Sequence, residues 1–247
     1  MSKITSKVII SILIMAVMAV SIYAWANVNE KISVNQIQVK PSTPQGLYIS
    51  KSGSGSEFTV EVAAKTTSAA TLSAVSTTDL INWYVPDNMA DINGNGGYDS
   101  AYTKLTSDFS SYYYSESFKV KSSEVLLDLK VTEIVVKDKE GNAPSKDISK
   151  ALRVGIKTNT SSGNVLIFAP VDGYDSNCMP VYESGKMSVM YAGNGSKVIK
   201  NSMQANTEYT IEIYVWYEGE DSNYTLNNLY SAEELTISIS FSGTPNS

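Results

Sequence analysis

Histidine is absent from all 247 residues, and cysteine occurs once, at Cys178. Without an imidazole that changes protonation near neutral pH, the Ser-His-Asp and Cys-His nucleophile systems are excluded, together with the commonest transition-metal sites. Paired carboxylates survive that exclusion, but no catalytic signature accompanies them, so the expectation is a protein that is not an enzyme. One cysteine permits no internal disulfide, and Cys178 is expected to be a buried or harmless thiol. Positive charge is scarce too: 19 basic residues stand against 25 acidic ones, with no dense basic patch. Such a surface repels phosphate backbones, which removes nucleic acid from the expected partners.

What is present begins with a leader. Lys3 and Lys7 form a short basic start, residues 8–22 are apolar except for Ser11 and Ser21, and small residues follow. This is the arrangement that export machinery and signal peptidase read. Ala24-Trp25-Ala26 offers cleavage after Ala26, and a second cut falls after Ala24, so the mature chain is expected to start at Trp25 or Asn27. The alternative is an uncleaved transmembrane anchor, since residues 8–26 approach the roughly 20 apolar residues needed to cross a bilayer. Membrane contact is expected only through this segment. Either way the body, residues 27–247, lies outside the cytoplasm. Removing two lysines and no acids leaves it with 17 basic and 25 acidic residues, a net charge of −8.

Period-two alternation dominates that body. Phe58, Val60, Val62 and Ala64 form one run, and others are Val125 to Val131, Leu152 to Ile156, Tyr209 to Val215, and Leu235 to Phe241. Each predicts a strand with one buried and one wet face. Turn chemistry around Gly141, Gly163, Gly193 and Gly195 separates several of them. The prediction is a single all-β domain, an antiparallel β-sandwich of jelly-roll type, with small helical turns near residues 145–152 and 231–235. In the first segment Ile32 and Val34 share one phase and Ile37 and Val39 the other, so a bulge is predicted near Asn35 and Gln36. That segment can complete its own sheet or lie along a neighbouring subunit's edge, as in strand donation.

The leader end "SIYAWANVN", followed at once by an all-β, cysteine-poor body, resembles the Gram-positive secreted proteins processed by the SipW-type signal peptidase, the TasA and camelysin group among them. "KISVNQIQVKPSTPQGLYIS" and "YTIEIYVWYEGEDSNYTLNNLYSAEELTISISF" are similar to uncharacterised clostridial secreted proteins with such leaders. The resemblance covers the leader and the first and last strands. It implies a secreted structural subunit of the cell surface or of an extracellular biofilm matrix. Its partners would be its own copies, other matrix proteins and the signal peptidase.

Three further features are candidate sites. In "DINGNGGYD", Asp91, Asn93, Asn95 and Asp99 occupy places one, three, five and nine of a calcium loop, with Gly96 at the sharp turn. Tyr102 stands where the closing bidentate Glu belongs, so calcium is expected to bind weakly at most, and no other cofactor is expected. Trp83, Tyr84 and Tyr113 are candidates for stacking on sugar rings, which makes an extracellular glycan-binding or adhesin module the alternative function. Glu218, Glu220 and Asp221 follow the Tyr209 run and are predicted to form a solvated acidic turn.

Overall fold

The computed structural model describes residues 34–41, 46–51, 57–64, 72–86, 102–158, 164–174, 180–182, 185–192, 197–225, 228 and 234–246. The leader with Ala24 and Ala26, the loop bearing Asp91, Asn93, Asn95 and Asp99, and Cys178 lie outside the described residues.

Two larger sheets carry the architecture. The first holds β1 (Val34–Pro41), β3 (Val62–Ala64), β7 (Leu126–Asp138), β13 (Val198–Met203) and β15 (Leu235–Pro245), in the order β13-β7-β15-β1-β3. The second holds β2 (Leu47–Lys51), β6 (Tyr113–Ser122), β8 (Leu152–Thr158), β9 (Val165–Ala169), β12 (Ser188–Ala192) and β14 (Tyr209–Tyr217), in the order β12-β9-β8-β14-β6-β2. Two ribbons, β4 (Tyr84–Pro86) with β5 (Tyr102–Lys104), and β10 (Val171–Tyr174) with β11 (Pro180–Tyr182), complete the strands. Short 3-10 turns lie at η1 (Phe109–Ser111) and η2 (Asp147–Ala151), the second within the helical turn predicted for residues 145–152.

Among the named strands pairing is antiparallel except between β1 and β15, which run parallel. Ile37 and Val39 of β1, Ile237, Ile239 and Phe241 of β15, and Ile211, Ile213 and Val215 of β14 meet in one buried apolar cluster. The two sheets therefore face each other across a shared core, a sandwich-like arrangement. The predicted bulge is present: Val34 pairs Leu235 and Gln36 pairs Thr236, which leaves Asn35 as the extra residue.

Three runs deviate from simple alternation, each for a physical reason. In β7 it is Leu126 and Leu129 that are buried, not the predicted set Val125, Leu127, Leu129 and Val131. Asp128, at φ 53°, adds a residue against β15, and each such bulge moves the following side chains to the opposite face. A second shift, at Thr132, lets Ile134 and Val136 point inward again. The run from Phe58 to Ala64 is not one strand. Thr59 exchanges two 2.8 Å backbone bonds with Ile49 of the six-stranded sheet, whereas residues 62–64 pair with β1 of the other sheet, so this stretch crosses between them. In β8, Arg153 and Gly155 are buried as well as Leu152, Val154 and Ile156, because the outer face of this sheet is itself covered.

Candidate functional site

The cover is the strap of residues 72–86. Thr77 and Asp79 shape its turn: Leu80 N–H donates to Thr77 Oγ1 at 3.1 Å, and the N–H groups of Ile81 and Asn82 donate to Asp79 Oδ1 at 2.8 and 2.6 Å. Burial works against the Asp79 charge, but the hydrogen bonds from Asn82, Ile81 and Thr77 outweigh it and hold this carboxyl below its usual value. Leu80 sits at φ 55°, a region that branched side chains rarely occupy, and is fully buried. Its side chain fills the space over Gly155. A Cβ there would collide with Leu80 Cδ2 and lie 2.9 Å from Trp216 Cζ3. Glycine in a strand interior is otherwise unfavourable, so close packing of the strap explains it.

Trp83 completes this second core with Val75, Leu80, Ile167 and Trp216. It stacks on Tyr113 at 4.1 Å between centroids and meets Trp216 edge-on at 5.3 Å. At 2% exposure its face is closed to any ligand, and the half-buried Tyr113 is engaged beneath it. Of the three sugar-stacking candidates only Tyr84 is exposed, at 39%. It stands opposite Lys104 across the β4–β5 ribbon, so the next ring on that face is its diagonal neighbour Tyr102, 36% exposed. Burial, and after it a hydrogen bond to Glu220, push the Tyr102 phenol up to about 12.

The acidic turn differs from the solvated one expected. Only Glu220 is exposed. Glu218 accepts hydrogen bonds from Ser76 Oγ, from Trp216 Nε1 at 3.2 Å and from Glu220 N–H at 3.3 Å, tying the strap to the end of β14. Burial nevertheless raises its carboxyl above the ordinary value, against the pull of these donors and of Arg153. Asp221 is buried and forms a 2.7 Å ion pair with Arg153 Nη2, the two side chains being 3% and 5% exposed. Asn223 donates to Asp221 Oδ1 through both its backbone N–H at 2.9 Å and its side-chain amide at 2.8 Å, and Tyr182 O–H reaches Oδ2 at 3.3 Å. Burial, and then the Asp221 charge, raise the Tyr182 phenol to about 12. Arg153 Nη1 donates to the carbonyls of Lys150 and Leu152 at 2.9 and 3.0 Å, while Nε is buried without a partner among the described residues.

Arg153 escaped the sequence reading although a signal for it exists. It is the only arginine in the chain, set between Leu152 and Val154 of a predicted strand, and a cation there demands a buried partner. No group of three or more Asp, Glu or Cys able to hold a metal occurs among the described residues. Chemically the turn offers a buried ionic brace and, on the neighbouring ribbon, two exposed phenol rings, one of which, Tyr102, is beside the Glu220 carboxylate. No protein-family model, curated protein or solved structure matches the chain.

Proposed function

We infer that the chain is a secreted structural subunit of the cell surface or extracellular matrix, a jelly-roll-like protomer that acts through contacts and not through catalysis. Its first strand is the assembly element. The observation that carries this reading is the position of β1, which lies inside the five-stranded sheet between β15 and the three-residue β3 and sends Ile37 and Val39 into the core. When such a strand is withdrawn it leaves a slot bounded by residues 235–241 of β15, and the same segment of another copy restores every lost hydrogen bond and both side chains. Exchange of an identical element is a low-cost route to association, and one that does not close becomes a fibre.

The test is complementation. A variant lacking residues 27–41 is mixed with a synthetic peptide of that sequence, and thermal unfolding and electron microscopy are recorded for it and for the full secreted protein. Filaments of the full protein, none from the truncated variant, and restored stability with the peptide are the expected results. Filaments from the truncated variant would sink strand exchange.

One observation favours the alternative, a glycan-binding module. Tyr84 and Tyr102 present neighbouring exposed rings with the Glu220 carboxylate beside one of them, a combination that suits stacking on a pyranose and accepting from its hydroxyls. Tyr84→Ala should then abolish retention on cell-wall polysaccharide while leaving thermal unfolding unchanged. Retention equal to that of the parent protein would discard this reading.

A further inference from the structure

The β4–β5 ribbon has two unlike faces. Val85 and Leu105 pack inward on the second core, and Leu105 N–H donates to the Trp83 carbonyl at 2.8 Å. Because side chains alternate along a strand, Tyr84, Tyr102 and Lys104 turn outward, and all three are exposed. Rings left in water contribute nothing to either apolar cluster, so their place on one short ribbon is explained by contact with something outside the fold.

The backbone beneath Tyr84 is held from both sides. Its N–H donates to the Ser76 carbonyl at 2.9 Å and its carbonyl accepts from Ser76 N–H at 2.8 Å, while Lys104 pairs with it across the ribbon. A base fixed before any ligand arrives lowers the ordering cost of binding. Charge is divided between two ends of this face. The exposed Glu220 accepts from the Tyr102 hydroxyl at one end. Lys104 stands directly across from Tyr84, and its ammonium has no ion pair among the described residues, with Glu220 or with any other acid. The other acids of the turn are buried and engaged: Glu218 accepts from Ser76 and Trp216, and Asp221 pairs with Arg153.

We propose that this face selects glycan units that carry a carboxylate, the hexuronic acids. The inference rests on the reading of the ribbon as a sugar platform and adds which sugars it takes. The pyranose stacks across Tyr84 and Tyr102, diagonal positions whose spacing is about 7–8 Å. Its carboxylate meets the Lys104 ammonium, a charge-assisted contact stronger than a neutral one, and its hydroxyls donate to Glu220. An amino sugar would set its ammonium against Lys104 or compete with the Tyr102 hydroxyl for Glu220. A neutral sugar would leave Lys104 without a counter-charge.

Methyl β-glucuronide and methyl β-glucoside differ only at C6, a carboxylate in one and a hydroxymethyl group in the other, and the galactose-configured pair repeats the comparison. Titrating each into the full-length secreted protein should give saturable shifts of the backbone amides of residues 84, 85 and 102–104, with dissociation constants on the order of millimolar for ligands of this size. In at least one pair the uronide should bind roughly two- to fivefold more tightly, the gain expected of one exposed ion pair. That gain should vanish near 1 M salt, where the screening length falls to about 3 Å. Lys104→Ala should bring the uronide down to the affinity of its neutral counterpart, whereas Tyr84→Ala should abolish binding of both. Equal affinities within both pairs, or a preference that Lys104→Ala retains, would overturn the uronic acid assignment and leave the sugar platform standing. No saturable shift at the ribbon from any of the four sugars would overturn both.

Discussion

Gly155 and Leu80 form a knob and a hole whose two halves lie 75 positions apart in the chain. The glycine costs β8 some intrinsic strand preference and Leu80 holds a strained backbone, so both local penalties are offset only by the contact between them. Gly155→Ala should therefore destabilise the protein by about 1–3 kcal/mol, the usual range for overpacking, as measured by urea unfolding. An unchanged midpoint would mean that the strap does not seat there. Titration gives two opposite signatures at this scale. The Glu218 carboxyl is raised in the folded state, so the folded protein binds the proton more tightly than the unfolded chain and stability falls as pH rises from about 4.5, the ordinary value for this group. The Asp79 carboxyl is lowered, so its contribution is present above 3.8 and is lost as pH falls below that. Stability curves of Glu218→Gln and Asp79→Asn against the parent protein should diverge in opposite directions with pH. Parallel curves would contradict both assignments. The Glu218 signature was not legible beforehand, because Ser76 and Arg153 come from segments distant in the chain, whereas the groups that hold Asp79, namely Thr77, Ile81 and Asn82, are its sequence neighbours and went unread as a turn.

Among the elements, strands whose register is simple were the legible ones. Ile211 to Val215 and Leu235 to Ile239 alternate in sequence and alternate in burial, because the shared core lies against one face and the other face is less covered. The bulge at Asn35 was legible from the phase change between Val34 and Ile37, since side chains reverse face only where a residue is inserted. β7 was read less well because its bulges are marked by Asp128 and Thr132, residues equally common on a wet face. The crossing at residues 58–64 kept an apolar alternation while its backbone changed sheets, and pairing partners leave no trace in a single sequence. The burial of Trp83 was hidden similarly: it is covered by a second core, which periodicity along one strand cannot reveal. Asp128 provides the test of the bulge account. Its φ of 53° suits Asp, Asn or Gly, so Asp128→Gly should change stability little, whereas Asp128→Val should cost about 1–2 kcal/mol through the left-handed backbone. Equal stability for the two would show that the strand has no bulge at this position.

For the molecule as a whole, the two apolar clusters have unequal standing. The larger one contains side chains from both sheets and is closed by β7, β14 and β15, strands paired along most of their length. The smaller one anchors Val75, Leu80 and Trp83 of the strap on the six-stranded sheet, supported by the Glu218 bonds and by Lys157 Nζ, which donates to the Leu80 carbonyl at 2.9 Å, whereas Leu72 and Ala74 at the start of the strap belong to the larger cluster. Segments held by few buried contacts open below the global unfolding free energy. Trp83→Ala removes the ring that stacks on Tyr113 and abuts Trp216, so it should release the strap before it unfolds the sandwich. In hydrogen exchange, amides of residues 76–86 should lose protection by a factor of ten or more, about 1.4 kcal/mol or greater, while those of β14 and β15 keep most of theirs. If β14 and β15 lost protection in step with the strap, the two clusters would form one cooperative unit. A selective release would instead mean that loss of polysaccharide retention in Trp83→Ala reports strap opening and not a direct sugar contact. Tyr84→Ala, on the exposed face of the ribbon, is therefore the substitution that separates glycan binding from folding.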